Sequence, residues 1–444
     1  AYPLVTIDPY VSAWSMSDNL YDSPVRHWTG KDFPLIGVVK VDGVSYRFMG
    51  TEELEMNAIV PTSQQGEWTG RYITDKPAGD WTSADYNDSG WKSDRGAFGT
   101  KENEPTAKTQ WGTRNIWVRR TVNIDRDLTG IPVYLEFSND DDAVFYINGV
   151  KIHSTGTTCN KNKVVKLSDE ALAALKQGDN IIAAECINPV GNGLLDFGLQ
   201  IPKHQETVFG NTAVQTSADV QPMQTHYAFT CGDVDLKVTF TAPLFMEDLK
   251  LLSRPVNYLT YSVAARDGKE HDVEVYFEAS PRWALDQPYQ QSASEGYEAD
   301  GLLYLKSGSK EQNILAKQGD DLRIDWGYFY MVSGKENTAY SIGNSTELRK
   351  NLNGTFNSAS LASEDSNGNM ALVRDYGKVR KVTDKIMLGY DDIYSIQYFG
   401  TNLRPYWNSK GDRTIESEML GAYNEYDELL ARCYAFDKKL MEAA

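Results

Sequence analysis

The sequence predicts a mainly β chain: two sandwich units followed by a helical close. Three observations predict it. Apolar residues alternate with polar or smaller ones in many short runs, turn dipeptides separate several of those runs, and only two stretches keep a helical period. Val234, Leu236, Val238 and Phe240 show the period of two, as do Leu259, Tyr261 and Val263, then Val273, Val275 and Phe277. That period marks a half-buried sheet, because successive side chains of a strand point to opposite faces. Asp42-Gly43, Asn148-Gly149, Asp267-Gly268 and Asp300-Gly301 each sit beside such runs and are read as hairpin turns.

The first helical stretch, Ser168 to Lys176, has a Ser cap, acids in its first turn and Gly178 just past its end, which makes it a short connector. In the second, Ile415, Met419, Tyr423, Tyr426, Leu430, Cys433, Phe436 and Leu440 recur at three- and four-residue steps. A stripe of about seven turns needs a partner surface. Two readings stay open: the helix packs on the sheets, or a following helical domain covers it.

Composition bounds the function. The 444 residues carry 44 Lys plus Arg against 62 Asp plus Glu, a net charge of −18, which argues against a nucleic-acid partner. Apolar residues at 41 % and charged residues at 24 % fit packed domains rather than a disordered chain. No run approaches the roughly 18 apolar residues of a membrane-spanning helix. The opening Ala-Tyr-Pro-Leu-Val-Thr reads as the start of an exported chain after removal of its signal. The four cysteines show no C-x-x-C spacing; Cys159 and Cys186 can pair or remain free thiols.

Polar runs at Pro61–Gly70 and Ile201–Asn211 place boundaries, giving segments 1–60, 61–206, 207–385 and 386–444. The tract Asn344–Asn369 reads as a surface excursion. Within the second segment, Gly79-Asp-Trp81, Asp85 to Trp91, Gly96-Ala-Phe98-Gly99, Ile116-Trp117, Val133 to Phe137, Phe145 to Gly149, Asp179 to Glu185 and Asp196-Phe-Gly-Leu199 follow in order. This series resembles the galactose-binding-like jelly-roll modules that accompany family 2 glycoside hydrolases. The resemblance makes Trp111 and Trp117 possible glycan-facing residues, beside the plainer reading in which tryptophans close the core. Asn139-Asp-Asp-Asp142 can hold a hard cation or be a solvated acidic turn; it lacks the spacing of a calcium loop, and no metal site is assigned.

The flanking regions carry a second resemblance. Pro3 to Ser15, Arg26-His-Trp-Thr-Gly30, Leu35-Ile-Gly-Val38, Pro281-Arg-Trp283, Ile324 to Tyr328 and Asp391 to Trp407 are similar to the secreted glutaminase A family of bacteria and fungi. The resemblance implies a β-supersandwich, made of residues 1–60 and 207–385, whose pattern continues past Ala444 into an (α/α) toroid. The stripe Ile415–Leu440 is then the first helix of that missing domain, the expected partner. It further implies a secreted or periplasmic protein, with or without outer-surface anchoring before processing, acting on a small-molecule amide. A glycan ligand is the alternative, through a glycoside hydrolase of sandwich-plus-toroid type. No cofactor is expected.

Catalytic residues are not assigned: there is no G-x-S-x-G elbow and no H-E-x-x-H, and His27, His153, His204, His226 and His271 are scattered singly. Two clusters stand as candidate substrate-binding residues. Arg26, His27 and Trp28 offer a planar charged fork, a group titrating near neutrality and a flat wall. Asn402, Arg404 and Trp407 offer an amide, a second fork and another wall. For each, a buried Arg under a packed Trp is the structural alternative. Glu52, Glu53 and Glu55 are read as a solvated edge in which one carboxylate can serve as a base.

Overall fold

The computed structural model describes residues 1–52, 56–103, 106–203, 207–319, 322–352, 354, 356, 362–363 and 368–443. The chain divides into two compact units, Ala1–Glu53 with Thr207–Ala444, and Leu54–Glu206. The mainly β class expected from the sequence is what the structure has.

The first unit is built on two antiparallel sheets. One has nine strands, in the order Val214–Val220, Gln224–Cys231, Val234–Thr241, Val256–Ala265, Lys381–Asp391, Tyr328–Gly334, Leu302–Ser309, Ser292–Ala299 and Ala362–Ser363. The other has five, ordered Thr338–Gly343, Asn369–Val379, His271–Ala279, Leu35–Val41 and Val44–Met49. Leu236, Leu259, Val275, Phe277, Met331 and Leu388 belong to the apolar core that the two sheets share. Strands near the middle of the larger sheet are buried on both faces. Tyr258, Tyr304, Tyr330 and Met387 belong to a second cluster, with Ile415, Met419, Ala422, Tyr426, Leu429 and Cys433 of the C-terminal helices. The stripe therefore packs on the sheet, the first of the two readings left open by the sequence. Tyr423, Leu430 and Phe436 are half-buried, and Leu440 stays exposed. The helical run divides into Ile415–Asn424, opened by a Thr414/Ser417 capping box, and Tyr426–Ala443.

The smaller sheet is covered on its outer face by helix Ser345–Leu352, whose Leu348 and Leu352 pack with Ile36, Val38, Tyr276 and Val373. This helix falls in the tract read as a surface excursion, so that reading is corrected for its first third. Much of the remainder, 357–361 and 364–367 included, lies outside the described residues. Arg349 on the same helix is buried, 2.6 Å from Glu278, and stands 3.8 Å from Glu52. The Glu52 carboxylate accepts the backbone N–H groups of Val208 and Phe209, each at 2.8 Å. Glu52 is thus a buried clasp, not a solvated edge; Glu53 and Glu55 lie outside the described residues.

The second unit is a sandwich of two six-stranded sheets. One runs Val150–Thr157, Asp142–Ile147, Gly178–Ile187, Asn115–Ile124, Thr69–Ile73 and Lys92–Arg95. The other centres on Leu194–Pro202 and Tyr134–Asp140 and includes Met56–Val60, which pairs with Leu194–Pro202. Met56–Val60 was assigned by sequence to the large sandwich; its backbone bonds place it here. Phe137, Phe145 and Phe197 meet in the core, with ring centroids 4.9 and 5.9 Å apart. Ser168 caps the connector helix Asp169–Ala174 as its sequence requires.

Three of the four turn dipeptides close hairpins. In Asp42-Gly43, Asn148-Gly149 and Asp300-Gly301 both residues have positive φ, the type I′ pattern that Asp-Gly and Asn-Gly suit. Asp267-Gly268 does not. It carries the chain from Val256–Ala265 in one sheet to His271–Ala279 in the other, and only Gly268 has positive φ.

Candidate functional site

At one place in the first unit, segments remote in sequence converge. The turn Asp8–Tyr10 lies against Trp28, whose indole N–H donates to the Pro9 carbonyl at 2.9 Å. His27 is fully buried, its Nδ1 2.9 Å from Thr29 Oγ1 and its Nε2 3.3 Å from the same Pro9 carbonyl. Phe33 packs on His27 and on Trp283, which stacks on Phe329 at 4.7 Å. Tyr10 meets the edge of Trp326 at 5.2 Å, and the Trp326 indole donates to the Tyr394 carbonyl at 3.0 Å. The motifs Arg26–Trp28, Pro281–Trp283, Ile324–Tyr328 and Asp391–Ser395 thus share one neighbourhood.

Of the first predicted cluster, Arg26 binds Asp32 at 2.8 Å, which engages its fork locally. His27 is a packed core histidine, and Trp28, 54 % exposed, alone presents an open face. Of the second, Asn402 accepts from Gln397 at 3.0 Å across a two-stranded hairpin, and Trp407 is buried in the turn Tyr406–Asn408. Arg404 is exposed, its guanidinium 5.3 Å from the Tyr394 ring. Trp28 and Arg404 remain presentable to a ligand; His27 and Trp407 take the packed alternative.

Sequence reasoning passed over the ionisable core of this neighbourhood. Arg323 is buried, 2.8 Å from Asp286, and its Nη1 donates to Thr29 Oγ1 at 3.4 Å. Buried Asp325 accepts from Gln290, Asn313 and Lys317 at 2.9, 3.0 and 3.1 Å. Burial pulls the Lys317 ammonium down, but the Asp325 and Asp286 carboxylates more than offset that, holding it above its ordinary value. Asp392 is 4 % exposed; burial, with Asp8 and Asp391 adding to it against the Ser395 hydroxyl, pushes its carboxyl up to about 7. Burial raises Asp8 and Asp391 as well. The Asp-Trp and Asp-Asp dipeptides inside the quoted motifs were the available signal. An acid poised near neutrality can give or take a proton, and the exposed fork of Arg404 can grip a carboxylate. His226 Nδ1 lies 2.9 Å from the Thr239 hydroxyl and His271 pairs with two carboxylates; His204 lies outside the described residues.

In the second unit Trp111 and Trp117 are 2 % and 3 % exposed, so neither faces a glycan as the resemblance allowed. Trp117 donates to Glu185 at 3.0 Å, and Trp111 lies against Gly193. Half-buried Trp81, with Tyr146 at 5.6 Å, is the more open aromatic pair. Asn139 is buried, accepting from Asn160 and donating to Thr158 O, so it belongs to the fold. Among the described residues no group of three or more His, Cys, Asp or Glu can hold a metal ion, and Cys186, Cys231 and Cys433 carry free thiols. No helix among them is long and apolar enough to cross a membrane.

Two family models match the chain. Both describe domains of unknown function: DUF4964 over residues 1–61 and DUF5127 over residues 223–443. Glutaminase A of Aspergillus oryzae (strain ATCC 42149 / RIB 40) is 27 % identical over 203 residues, which is 43 % of this chain and 29 % of that relative. The match therefore spans under a third of the glutaminase A chain. Among solved structures, a glycosyl hydrolase family 2 member from Bacteroides cellulosilyticus is 10 % identical, covering 63 % of this chain and 34 % of that one at a TM-score of 0.26. Bacteroides uniformis β-glucuronidase 2 is 11 % identical, covering 64 % and 31 % at 0.27. Scores this low bear on neither activity nor ligand.

Proposed function

We propose that this chain is the non-catalytic N-terminal portion of a secreted glutaminase-like amidohydrolase that converts L-glutamine to L-glutamate and ammonia. The observation that carries the reading is the 27 % identity to glutaminase A over 203 residues. Amide hydrolysis needs an activated nucleophile, a proton donor for ammonia and donors to the oxyanion. The neighbourhood of Trp28, Asp392 and Arg404 supplies walls and charge, and a helical toroid domain of the parent supplies the catalyst. The test is ammonia release from L-glutamine by this chain and by the full-length product of its gene. The expected result is turnover by the longer protein alone. Turnover by this chain above a blank overturns the non-catalytic assignment, and turnover by neither overturns the glutaminase reading.

A second reading, favoured by the Trp81–Tyr146 pair, makes the second unit a glycan-binding module on a glycoside hydrolase scaffold. Titration with galactosides and mannosides then quenches tryptophan fluorescence in the native chain but not in Trp81→Ala.

A further inference from the structure

One flank of the second unit is basic in an acidic chain. Between Asp142 and Asp169 the sequence holds Lys151, Lys161, Lys163 and Lys166 and no acid, while the whole chain has a net charge of −18. The fold sets this run along an open side of the sandwich. Strand Val150–Thr157 is the edge of one sheet, Asn160–Lys166 is the edge of the other, and a short turn joins them. All four lysines are exposed, and among the described residues none of them makes an ion pair. Lys40, Lys306 and Lys317 of the first unit, by contrast, each hold a carboxylate.

His153 lies in this flank and packs on Phe137 at 5.2 Å. Burial, with Lys163 and Lys151 adding to it, lowers the His153 pKa, so both lysines stand close to its ring. An open depression of about 600 Å³ begins here, lined by Gly149–His153 and Glu170. Asp140 lies toward Lys161, and neither it nor Glu170 closes on a lysine as an ion pair. Lys151 stands opposite Tyr146, whose ring meets Trp81 at 5.6 Å, so the lysines border the half-buried aromatic pair.

Charge on an edge strand also deters pairing with other chains, but either sign does that. The opposite edge, Lys92–Arg95, mixes Lys, Asp and Arg, whereas this one holds cations alone. Lysine's compact ammonium on a flexible stem suits anions spread along a chain rather than one planar group. A membrane surface asks for apolar insertion, and Val164 alone of the large apolar side chains on these strands is exposed. A nucleic acid asks for a basic protein, and this chain is acidic.

We propose that this flank binds an acidic polysaccharide, its sugar rings against Trp81 and Tyr146 and its carboxylate or sulfate groups on Lys151, Lys161 and Lys163; this rests on the glycan reading of the second unit and names its ligand class. Isothermal titration calorimetry of the full chain at low salt tests it, with polygalacturonate, dextran sulfate, neutral galactan and neutral mannan. Native protein binds one or both acidic polymers at least about tenfold more tightly than the neutral ones, and Lys151→Gln/Lys163→Gln loses about tenfold or more of that affinity, since each lysine gives up a charge-assisted contact. Lys76→Gln/Lys92→Gln removes the same charge from exposed positions, Lys92 on the opposite edge, and leaves it unchanged. Binding of one acidic polymer alone supports the proposal and tells carboxylate from sulfate. Equal affinity for neutral and acidic polymers overturns it and leaves the glycan reading standing; binding of none of the four overturns both. Duplex DNA held as tightly as the acidic polymers, or native affinity in Lys151→Gln/Lys163→Gln, overturns it too, because the flank then takes any polyanion or none.

Discussion

His271 shows what a single residue contributes through its two ring nitrogens. It is 5 % exposed, with Nδ1 2.7 Å from Asp42 and Nε2 3.0 Å from Asp267, so both ring nitrogens meet carboxylates. These bonds raise the His271 pKa and lower that of Asp42, while the Lys269 backbone N–H, and His271 after it, lower that of Asp267. A raised histidine stabilises the fold fully below its unfolded value of about 6.5 and loses that contribution as pH climbs through the folded value. The lowered acids contribute above about 4 and lose theirs as pH falls. Urea midpoints of native protein and His271→Gln should therefore differ most between about pH 4 and 6.5 and converge above. A constant difference from pH 5 to 9 would contradict this. Trp111 and Trp117 teach a related lesson: their residue type is legible, but whether an indole faces solvent depends on strands far away in sequence. Asp42 and Asp300 were legible because a type I′ turn leaves few residues to choose from; Asp267 looked identical and serves instead to hold a histidine.

At the scale of elements, the period of two and the helical stripe identified strands and helices, but not what each face meets. Met387 and Leu388 are adjacent and both buried, on opposite sides of one sheet, and a run buried on both faces carries no alternation to read. The ionisable cluster of Asp286, Asp325 and Lys317 left only the Asp-Trp dipeptide as a signal, since its members come from segments that the fold alone brings together. Helix packing gives a sharp prediction here. Met419 is fully buried, and a Cβ on Gly389 would stand 2.1 Å from its Cε and 2.6 Å from Pro255 O. Met419→Ala should cost about 2–5 kcal/mol through the cavity it leaves, and Gly389→Ala about 1–3 kcal/mol through overpacking. Equilibrium urea unfolding of the first unit reads both; a cost below about 0.5 kcal/mol for either would mean that the helices are not seated on the sheet.

For the whole molecule, the clasp of Glu52 on Val208 and Phe209 brings the two chain ends flanking Leu54–Glu206 together inside the first unit. A chain in which a short Gly-Ser linker joins residue 52 to residue 207 should fold, with the far-ultraviolet spectrum of a β protein and a cooperative transition. Glu52→Ala in that chain leaves two buried N–H groups without acceptors and Arg349 with one carboxylate fewer, at a cost of about 2–5 kcal/mol. Collapse of the shortened chain even with Glu52 intact would show that the first unit depends on the second.

The sheet that is apolar on both faces also sets an order in time. Ribosomes make residues 415–443 after every strand they cover, so the growing chain presents Tyr258, Tyr304, Tyr330 and Met387 uncovered until these two helices emerge. Nascent chains halted near residue 410 are the species that chaperones should hold.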